Sequence, residues 1–419
     1  MEQEFMNYPK FTPDMKKTHK ILIPNMAPVQ FRILAAAMEQ AGYQCELLEN
    51  CGSQVCELGL KYVHNDTCYP ALLVIGQFLD ALGSGKYDLD HTALIITQTG
   101  GGCRASNYIF LLRKALAKAG LGFVPVISLN PVGLEKNSGF KLTLTLLLQS
   151  MMMILYADVL MCLKNQVEPY ENEKGACAAL VDAWADRLTE QFRRNPRAAA
   201  LRFKENVAKI ARDFEAIPYT PAEKIQVGIV GEIYVKYSDM ANNHLERFLL
   251  DQGCQVNVPG LMGFLLNALD HSIDDVDLYG GNKVRQFGFK QVMRYVDRVE
   301  KTISKAIRGN SRFKPPAPYQ TTRRELGDTL GVGCKMGEGW LLTAEMCELI
   351  DSGVPNIVCV QPFGCLPNHI AGKGTIRALR EKYPKANIVP IDYDPGATRV
   401  NQENRLKLML AVAREEEQQ

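Results

Sequence analysis

Three of the twelve cysteines in this sequence stand in polar turns with glycine or proline close by, where a thiol can bind a metal or act as a redox group. Cys103 ends the run HTALIITQTGGGC, which predicts a strand followed by a glycine turn, and Cys365 ends NIVCVQPFGC in the same way. Cys68 lies in NDTCYP, where a helical pattern begins. Backbone N–H groups and the positive end of a helix favour a thiolate at such positions. Because thiolates are the usual protein ligands of iron–sulfur clusters, these residues predict an iron–sulfur site, and three ligands would leave one iron open.

The other cysteines leave alternatives to a site with three ligands. Cys334 is the best candidate for a fourth ligand, and Cys51 with Cys56 forms a CxxxxC pair that could serve a larger cluster. A different interpretation is that the three thiols are unrelated and buried, because the sequence has no compact CxxC motif. Structural zinc is disfavoured, since zinc prefers paired ligands that are close in sequence. Four more cysteines lie in apolar periodic segments and are predicted to be small buried hydrophobic residues: Cys162, Cys177, Cys347 and Cys359.

Groups that could move protons stand close to one of these cysteines or in an equivalent turn. Asn368 and His369 follow Cys365, and Glu338 lies in a turn that opens a helix in the second half of the chain. An acid and a histidine beside an open metal site could handle protons, so Glu338 and His369 are the candidate catalytic residues. The alternative is that these side chains cap helices and bond within turns.

Two other features of the sequence bear on phosphate or cation binding. The sequence has no GxxxxGK(S/T) loop, and GGGC lacks the GxGxxG spacing of a dinucleotide site. Asp392 and Asp394 stand at the end of a predicted strand in DYDPG, where either a cation site or turn chemistry would explain them.

Strands alternate with helices along most of the chain, which predicts an α/β fold with doubly wound parallel sheets. The pattern divides the chain into an N-terminal arm, a first α/β domain, a helical segment and a second α/β domain: residues 1–18, 19–134, 135–222 and 223–419. The second domain carries a polar, basic helical insertion over residues 283–325. We therefore expect two Rossmann-like lobes with a helical layer.

The two α/β halves can be laid over each other as a repeat of architecture. A helix beginning TCYPALLVIG precedes a strand, a turn and Cys103, and a helix beginning GEGWLLTAEM precedes a strand, a turn and Cys365. This alignment puts Cys68 and Gly339 at equivalent helix starts, with Cys334 in the turn just upstream. Because such sheets bind ligands at the carboxyl ends of their strands, we expect the three thiols to converge in a cleft between facing domains.

The charge, the N-terminal sequence and one long apolar segment indicate the cellular compartment and the kinds of partner to expect. The chain has 48 basic and 46 acidic residues, so its charge indicates neither a nucleic-acid partner nor an acidic-surface partner. MEQEFMNYPK lacks the layout of a signal peptide, and we expect a cytoplasmic protein whose thiols are metal or redox ligands rather than disulfides. Residues 142–163 are mostly apolar but include Thr143, Gln149 and Asp158, which favours a buried helix over a membrane span.

Five stretches resemble the 2-hydroxyacyl-CoA dehydratase-like family: NDTCYP, QTGGGCRASNY, GEGWLLTAEM, QPFGCLPNHI and DYDPGATRVNQENR. The most similar branch is the one often fused or paired with an ATP-hydrolysing activase, which is related to the double-cubane cluster proteins. The resemblance covers residues 19–413 and implies Rossmann-like lobes with an iron–sulfur cluster between them. It also implies low-potential electrons from an activase of the actin-like ATPase fold with its own [4Fe–4S] cluster. By this resemblance the cluster ligands carry over to Cys68, Cys103 and Cys365.

Two functions follow as expectations. The first is an enzyme component with an open-site [4Fe–4S] cluster that performs reductive or radical chemistry on a small substrate. A double-cubane [8Fe–9S] cluster is the alternative cofactor, although double-cubane members need more than three cysteine ligands. The second function is a non-catalytic electron-transfer or scaffold subunit of a larger complex. In either case the expected partners are the activase and a paralogous subunit or a second copy of this chain.

Overall fold

We describe the protein from a computed structural model that covers residues 8–64, 67–99, 102–130, 135, 138–196 and 201–417. The chain divides into two compact units, Met1–Met151 and Met152–Gln419. Within the described residues each unit is built on a parallel sheet of four strands. The expectation of an α/β fold with parallel sheets is therefore confirmed.

The first unit contains strands β1 (Lys20–Ile23), β2 (Gln44–Leu47), β3 (Thr92–Thr97) and β4 (Val126–Leu129), in the order β2-β1-β3-β4. Its helices are α1 (Met15–Thr18), α2 (Pro28–Gln40), α3 (Ser53–Tyr62), α4 (Tyr69–Gly83) and α5 (Tyr108–Lys118). Strand β3, TALIIT, pairs with a neighbour on each side and is buried except at its last residue. Such a strand is covered on both faces, which explains why it is a continuous apolar run in the sequence.

Helices α3 and α4 lie with their backbones in direct contact because two glycines omit a side chain where the helices meet. A Cβ on Gly59 would lie 2.2 Å from the carbonyl oxygen of Leu72, and one on Gly76 would lie 1.9 Å from that of Val55. Helix α4 is buried along nearly its whole length. This packing fixes the start of α4, where Cys68 is the N-cap residue.

Helix α6 (Leu144–Val167) is the long apolar segment noted in the sequence. Among the described residues it is the one helix long and apolar enough to cross a membrane, and 72% of its most apolar window is buried inside the protein. Its Asp158 is buried and accepts hydrogen bonds from the backbone N–H groups of Leu261 and Met262. A buried, paired carboxylate is expected of a helix that packs within protein.

The second unit contains strands β5 (Gln226–Gly231), β6 (Gln255–Asn257), β7 (Asn356–Pro362) and β8 (Asn387–Tyr393), in the order β6-β5-β7-β8. Its remaining helices are α7 (Ala176–Arg194), α8 (Phe203–Glu215), α9 (Ile233–Tyr237), α10 (Asp239–Asn242), α11 (Leu245–Asp251), α12 (Leu261–Tyr279), α13 (Lys283–Arg308), α14 (Tyr319–Glu325), α15 (Trp340–Asp351), α16 (Ile376–Lys382) and α17 (Arg399–Glu417). All seven residues of β7 are buried, and its Ile357 and Cys359 pack with Cys347 of α15 in one apolar cluster.

Four local predictions from the sequence differ from the structure. The apolar run IQVGIVGEIYV predicts a single strand, but the strand ends at Gly231 and helix α9 begins two residues later. The helix expected over residues 242–252 is interrupted, because Asn243 and His244 adopt left-handed backbone conformations. Residues 135–222, expected to be helical throughout, contain α6, α7 and α8, with turn residues between α6 and α7. Residues 309–318 interrupt the predicted helical insertion.

Candidate functional site

The two sheets share one topology, in which the second strand of each unit lies at an edge beside the first, and the third and fourth follow on the other side. Successive strands are therefore added first on one side of the first strand and then on the other, so the order of strands reverses between the first and the third. Ligands of open α/β sheets bind in the crevice beyond the carboxyl ends of these two strands. In the first unit these strands are β1 and β3, and in the second unit they are β5 and β7.

The first unit places both of its candidate ligands at the beginnings of helical turns. Cys68 is the N-cap residue of α4, the helix that precedes β3. Cys103 is the N-cap residue of the short 3-10 helix Arg104–Asn107 that follows β3, and its Sγ accepts a hydrogen bond from the N–H of Ala105 at 3.5 Å. Both thiols are partly buried. The predicted turn residues Asn65, Asp66, Gly100 and Gly101 lie outside the described residues.

The second unit places Cys365 just beyond the carboxyl end of β7. The Cys365 N–H donates to the carbonyl of Pro362, and its own carbonyl accepts from the N–H of His369, which begins a helical turn. The amide Nδ2 of Asn368 donates to Cys365 Sγ at 3.3 Å. Burial raises the pKa of this thiol to about 12, and the negative charges of Glu338 and Glu232 add to the effect. Two carboxyl groups therefore lie close enough to act on this thiol.

Glu232 and Glu338 meet at the start of helix α9. Glu232 follows β5 directly, and its Oε2 accepts a hydrogen bond from the N–H of Val235 at 2.8 Å. Glu338 Oε1 accepts from the N–H of Ile233 at 3.0 Å. Both residues are buried, with 9% and 7% of their surface exposed, respectively. Burial raises the pKa of both carboxyl groups, and the charge of Glu338 raises that of Glu232 further. The pair therefore holds a proton more strongly than carboxyl groups in water do.

A buried ion pair joins helix α9 to helix α15. Lys236 of α9 places its Nζ 3.1 Å from both carboxylate oxygens of Glu345 on α15, and each residue is 4% exposed. The pair links the helix that Glu232 caps to the helix that Glu338 precedes. Both carboxyl groups therefore stand directly before helices that this ion pair holds together.

His369 lies on the same turn as Cys365. Its Nε2 accepts a hydrogen bond from the N–H of Gly364 at 3.2 Å and lies 3.6 Å from Asp392 Oδ1. Asp392 also accepts from the side-chain amide of Gln361 at 2.7 Å. Asp394, by contrast, accepts from the N–H of Gly396 at 2.6 Å within its own turn, which is the turn chemistry considered as its alternative role.

Three buried amide groups around this edge have acceptor oxygens without a hydrogen-bond donor among the described atoms. They are Asn267 Oδ1, Gln361 Oε1 and Asn368 Oδ1, on residues that are at most 1% exposed. The amide nitrogens of the same residues are bonded to the Glu338 carbonyl, to Asp392 and to Cys365 Sγ. Open acceptors in a buried polar site are normally completed by water or a ligand.

The remaining cysteines fall into distinct environments. Cys177, Cys347 and Cys359 are buried, as their apolar surroundings predict, whereas Cys162 is only partly buried and its Sγ is 3.6 Å from the carbonyl oxygen of Lys314. Cys51 is exposed and Cys56 is partly buried. Cys334 is partly buried in the tight turn before α15, where its carbonyl accepts from the N–H of Trp340 at 2.7 Å.

The thiols can be tested for their fit to an iron–sulfur cluster. Both Cys103 and Cys365 accept N–H···S hydrogen bonds, which are the contacts that stabilise and tune cluster thiolates. The high pKa of Cys365 does not oppose ligation, because a coordinated metal displaces the thiol proton. In the described part of the chain, no three His, Cys, Asp or Glu side chains gather closely enough to hold a single metal ion. Cys68 and Cys103 belong to the first unit and Cys365 to the second, so their convergence stays a prediction.

Glu232 is the site residue that the sequence pattern does not indicate, because the apolar run IQVGIVGEIYV predicts a strand through this position. The available signal was an acid between a glycine and a segment that could form a helical turn, the position of an N-cap. Comparisons of this chain with models of protein families and with curated proteins gave no match.

Proposed function

We propose that this chain is an iron–sulfur protein of the 2-hydroxyacyl-CoA dehydratase-like type. In this proposal the thiolates of Cys68, Cys103 and Cys365 bind a [4Fe–4S] cluster with one open iron. An ATP-hydrolysing activase with its own iron–sulfur cluster supplies low-potential electrons, and the substrate is a small molecule. The observation that carries the proposal is that Cys103 and Cys365 follow the third strand of two sheets with one topology, and that each accepts an N–H···S hydrogen bond.

The chemistry that the bound cluster supplies is one-electron transfer, and the protein supplies the rest. Asn368 holds Cys365 Sγ in place through its amide N–H. Glu232 and Glu338 retain a proton near this thiol because both are buried and share one helix start. A reduction of an organic substrate consumes protons as well as electrons, so this pair is the proton donor that such a reaction needs. His369 is the alternative donor on the same turn.

A specific observation also favours the second candidate, an electron-transfer or scaffold subunit. Three large apolar side chains near Cys365 in the chain are exposed: Phe363 at 68%, Leu366 at 58% and Ile370 at 52%. Exposed apolar groups around a redox site are typical of a surface that docks a partner protein. Turnover by the purified chain with an activase and a reductant separates an enzyme from a subunit that only passes electrons.

Anaerobic purification with iron and sulfide analysis tests the cluster itself. We expect a brown protein with about four irons per chain for a single cubane, whereas about eight would favour a double cubane. Serine at Cys68, Cys103 or Cys365 should lower the iron content and change the electron paramagnetic resonance spectrum. Serine at buried Cys347 is the matched control, which should cost stability but keep the iron.

Replacing Cys334 by serine tests whether this residue is the fourth ligand of the cluster. Unchanged iron would leave the fourth position open, and a loss of iron would assign it to Cys334. The cluster proposal fails if the reconstituted wild-type protein is colourless and free of iron, or if all three ligand variants keep full iron.

A further inference from the structure

The second unit contains a large cavity that the iron–sulfur proposal does not use. Its volume is about 1170 Å³, and its wall includes residues of α6, α12, α13 and α15. Gln226 and Gln255, the first residues of β5 and β6, also line it, so the cavity reaches the amino ends of these strands. Cys365, Glu232 and Glu338 lie beyond the carboxyl ends and are not part of its wall. A space of this size is ample for a small organic molecule.

The inner wall of this cavity is acidic. Asp158 and Glu345 line it, but the first accepts two backbone hydrogen bonds and the second is paired with Lys236. Glu300 and Glu348 also line it, and neither forms a salt bridge among the described residues. Burial raises the pKa of each of these two carboxyl groups to about 7. Glu300 accepts one hydrogen bond from the N–H of Tyr319 at 3.2 Å. The charges of Lys301 and Lys314 lower the pKa of Glu300 and Glu348, respectively, but burial outweighs them, so neither carboxylate is fully compensated for its loss of water.

The cavity wall also includes four basic residues, all of them exposed: Lys301, Arg308, Arg312 and Lys314. Lys301 is paired with Asp297, and Arg312 is paired with Glu215. Lys314 donates to the backbone carbonyl of Ser352. The interior thus presents carboxyl groups rather than cations to a ligand.

A buried amide gives a second and independent indication of a ligand. Asn165 of α6 lines the cavity, is 5% exposed, and has no acceptor for its Nδ2 hydrogens among the described atoms. Such a group costs free energy unless an acceptor reaches it. A ligand oxygen in the cavity would meet this need.

From these groups we infer that the cavity binds a small organic amine that also carries a carbonyl or hydroxyl oxygen. The ammonium group lies against Glu300 and Glu348, and the oxygen accepts from Asn165. A bare metal ion is a poorer occupant, because the described residues offer no set of three metal-ligating side chains there. This inference is independent of the iron–sulfur proposal.

The test uses a matched pair of probes, 5-aminopentanamide and 5-hydroxypentanamide, in calorimetric titrations of the full chain at pH 8. We expect the amine to bind and the hydroxyl analogue to bind about tenfold more weakly or not at all. Glu300→Gln and Glu348→Gln should each weaken binding of the amine about tenfold. Glu381→Gln, which changes an exposed carboxylate outside the cavity, should leave binding unchanged.

A blocking variant tests the place of binding. Gly263 lines the cavity from helix α12, and a Cβ built on it meets no atom within 4 Å, so Gly263→Leu should fill the space without a clash and abolish binding. Gly288→Leu is the matched control, because Gly288 also has open space, lies on helix α13 and does not line the cavity. Thermal melting of both variants verifies that they fold.

Three results would overturn the inference. Equal binding of both probes would show that the site does not require an ammonium group. No binding of either probe at millimolar concentration would show that the cavity does not bind such a ligand. Unchanged amine binding in folded Gly263→Leu would place the ligand elsewhere. The titrations do not measure iron content, so a failure of the cluster proposal would not change what they show about the cavity.

Discussion

The buried ion pair between Lys236 and Glu345 allows a sharp test of how the site is held. Replacing Glu345 by Gln keeps the shape of the side chain but leaves the Lys236 ammonium, at 4% exposure, without its ion-pair partner. Removing one partner of such a pair costs about 3–5 kcal/mol, because the remaining charge is still buried. Burial raises the pKa of Glu345 more than the lysine lowers it, so we expect the lower end, about 3 kcal/mol.

The assay is urea unfolding followed by tryptophan fluorescence. The sequence has two tryptophans, Trp184 and Trp340, and both lie in the second unit and are buried, so the signal reports that unit. Glu381→Gln is the matched control, because its pair with Arg377 is exposed and should change stability by only about 0–1 kcal/mol.

The reasoning is refuted if Glu345→Gln costs no more than Glu381→Gln. A second variant separates charge burial from packing. Lys236→Met combined with Glu345→Leu removes both charges and should recover most of the loss, since apolar replacement of a whole buried pair is close to neutral. A double variant as unstable as the single one would assign the effect to packing.

Two further outcomes are expected from the same unfolding assay. Glu348→Gln should stabilise the second unit by about 3 kcal/mol at pH 8 and by nearly nothing at pH 4. The pKa of Glu348 rises from 4.5 to about 7 on folding, so the wild-type protein loses stability as the pH rises through this range and the glutamine variant does not; equal effects at both pH values would contradict this. Gly339→Ala should cost about 3 kcal/mol, since Gly339 has a φ of +54° and a Cβ there would lie 2.3 Å from the carbonyl oxygen of Cys334. Gly353→Ala, which has a positive φ but open space around it, should cost only about 1 kcal/mol, and equal costs would show that the contact with Cys334 is unimportant.

The strands were predictable because the central strands of parallel sheets are buried on both faces. TALIIT in β3 and NIVCVQP in β7 are apolar runs with turn residues after them, and this pattern has few alternative structures. The same logic located Cys68 and Gly339, since each is the N-cap residue of the helix that precedes the third strand of its unit. The order of helices and strands along the chain was enough to assign these two N-cap positions.

The contacts of Glu232 were not predictable in the same way. Ile233, Tyr234 and Val235 favour strands by propensity, but burial of this segment and the cap formed by Glu232 make it helical. Its partner Glu338 is more than a hundred residues away, and no local pattern records that both carboxyl groups accept hydrogen bonds at one helix start. Such pairings depend on tertiary structure and appear only when the chain is folded.

The shared topology also shows how the two units differ at equivalent points. Asn25 is the second residue after the first strand of the first unit, whereas Glu232 directly follows the first strand of the second unit. At the helix start before the third strand the first unit has Cys68, and the second has Glu338 next to its N-cap. The first unit therefore offers two thiols and an amide, whereas the second offers the thiol of Cys365 and two carboxyl groups that retain a proton. In the proposed function, the thiols bind the metal and the carboxyl groups carry protons, so one architecture used twice would separate the two requirements of a reductive reaction. If the cluster proposal holds, Glu232→Gln and Glu338→Gln should keep the iron and lose turnover, because the ligands are untouched and the proton donors are gone.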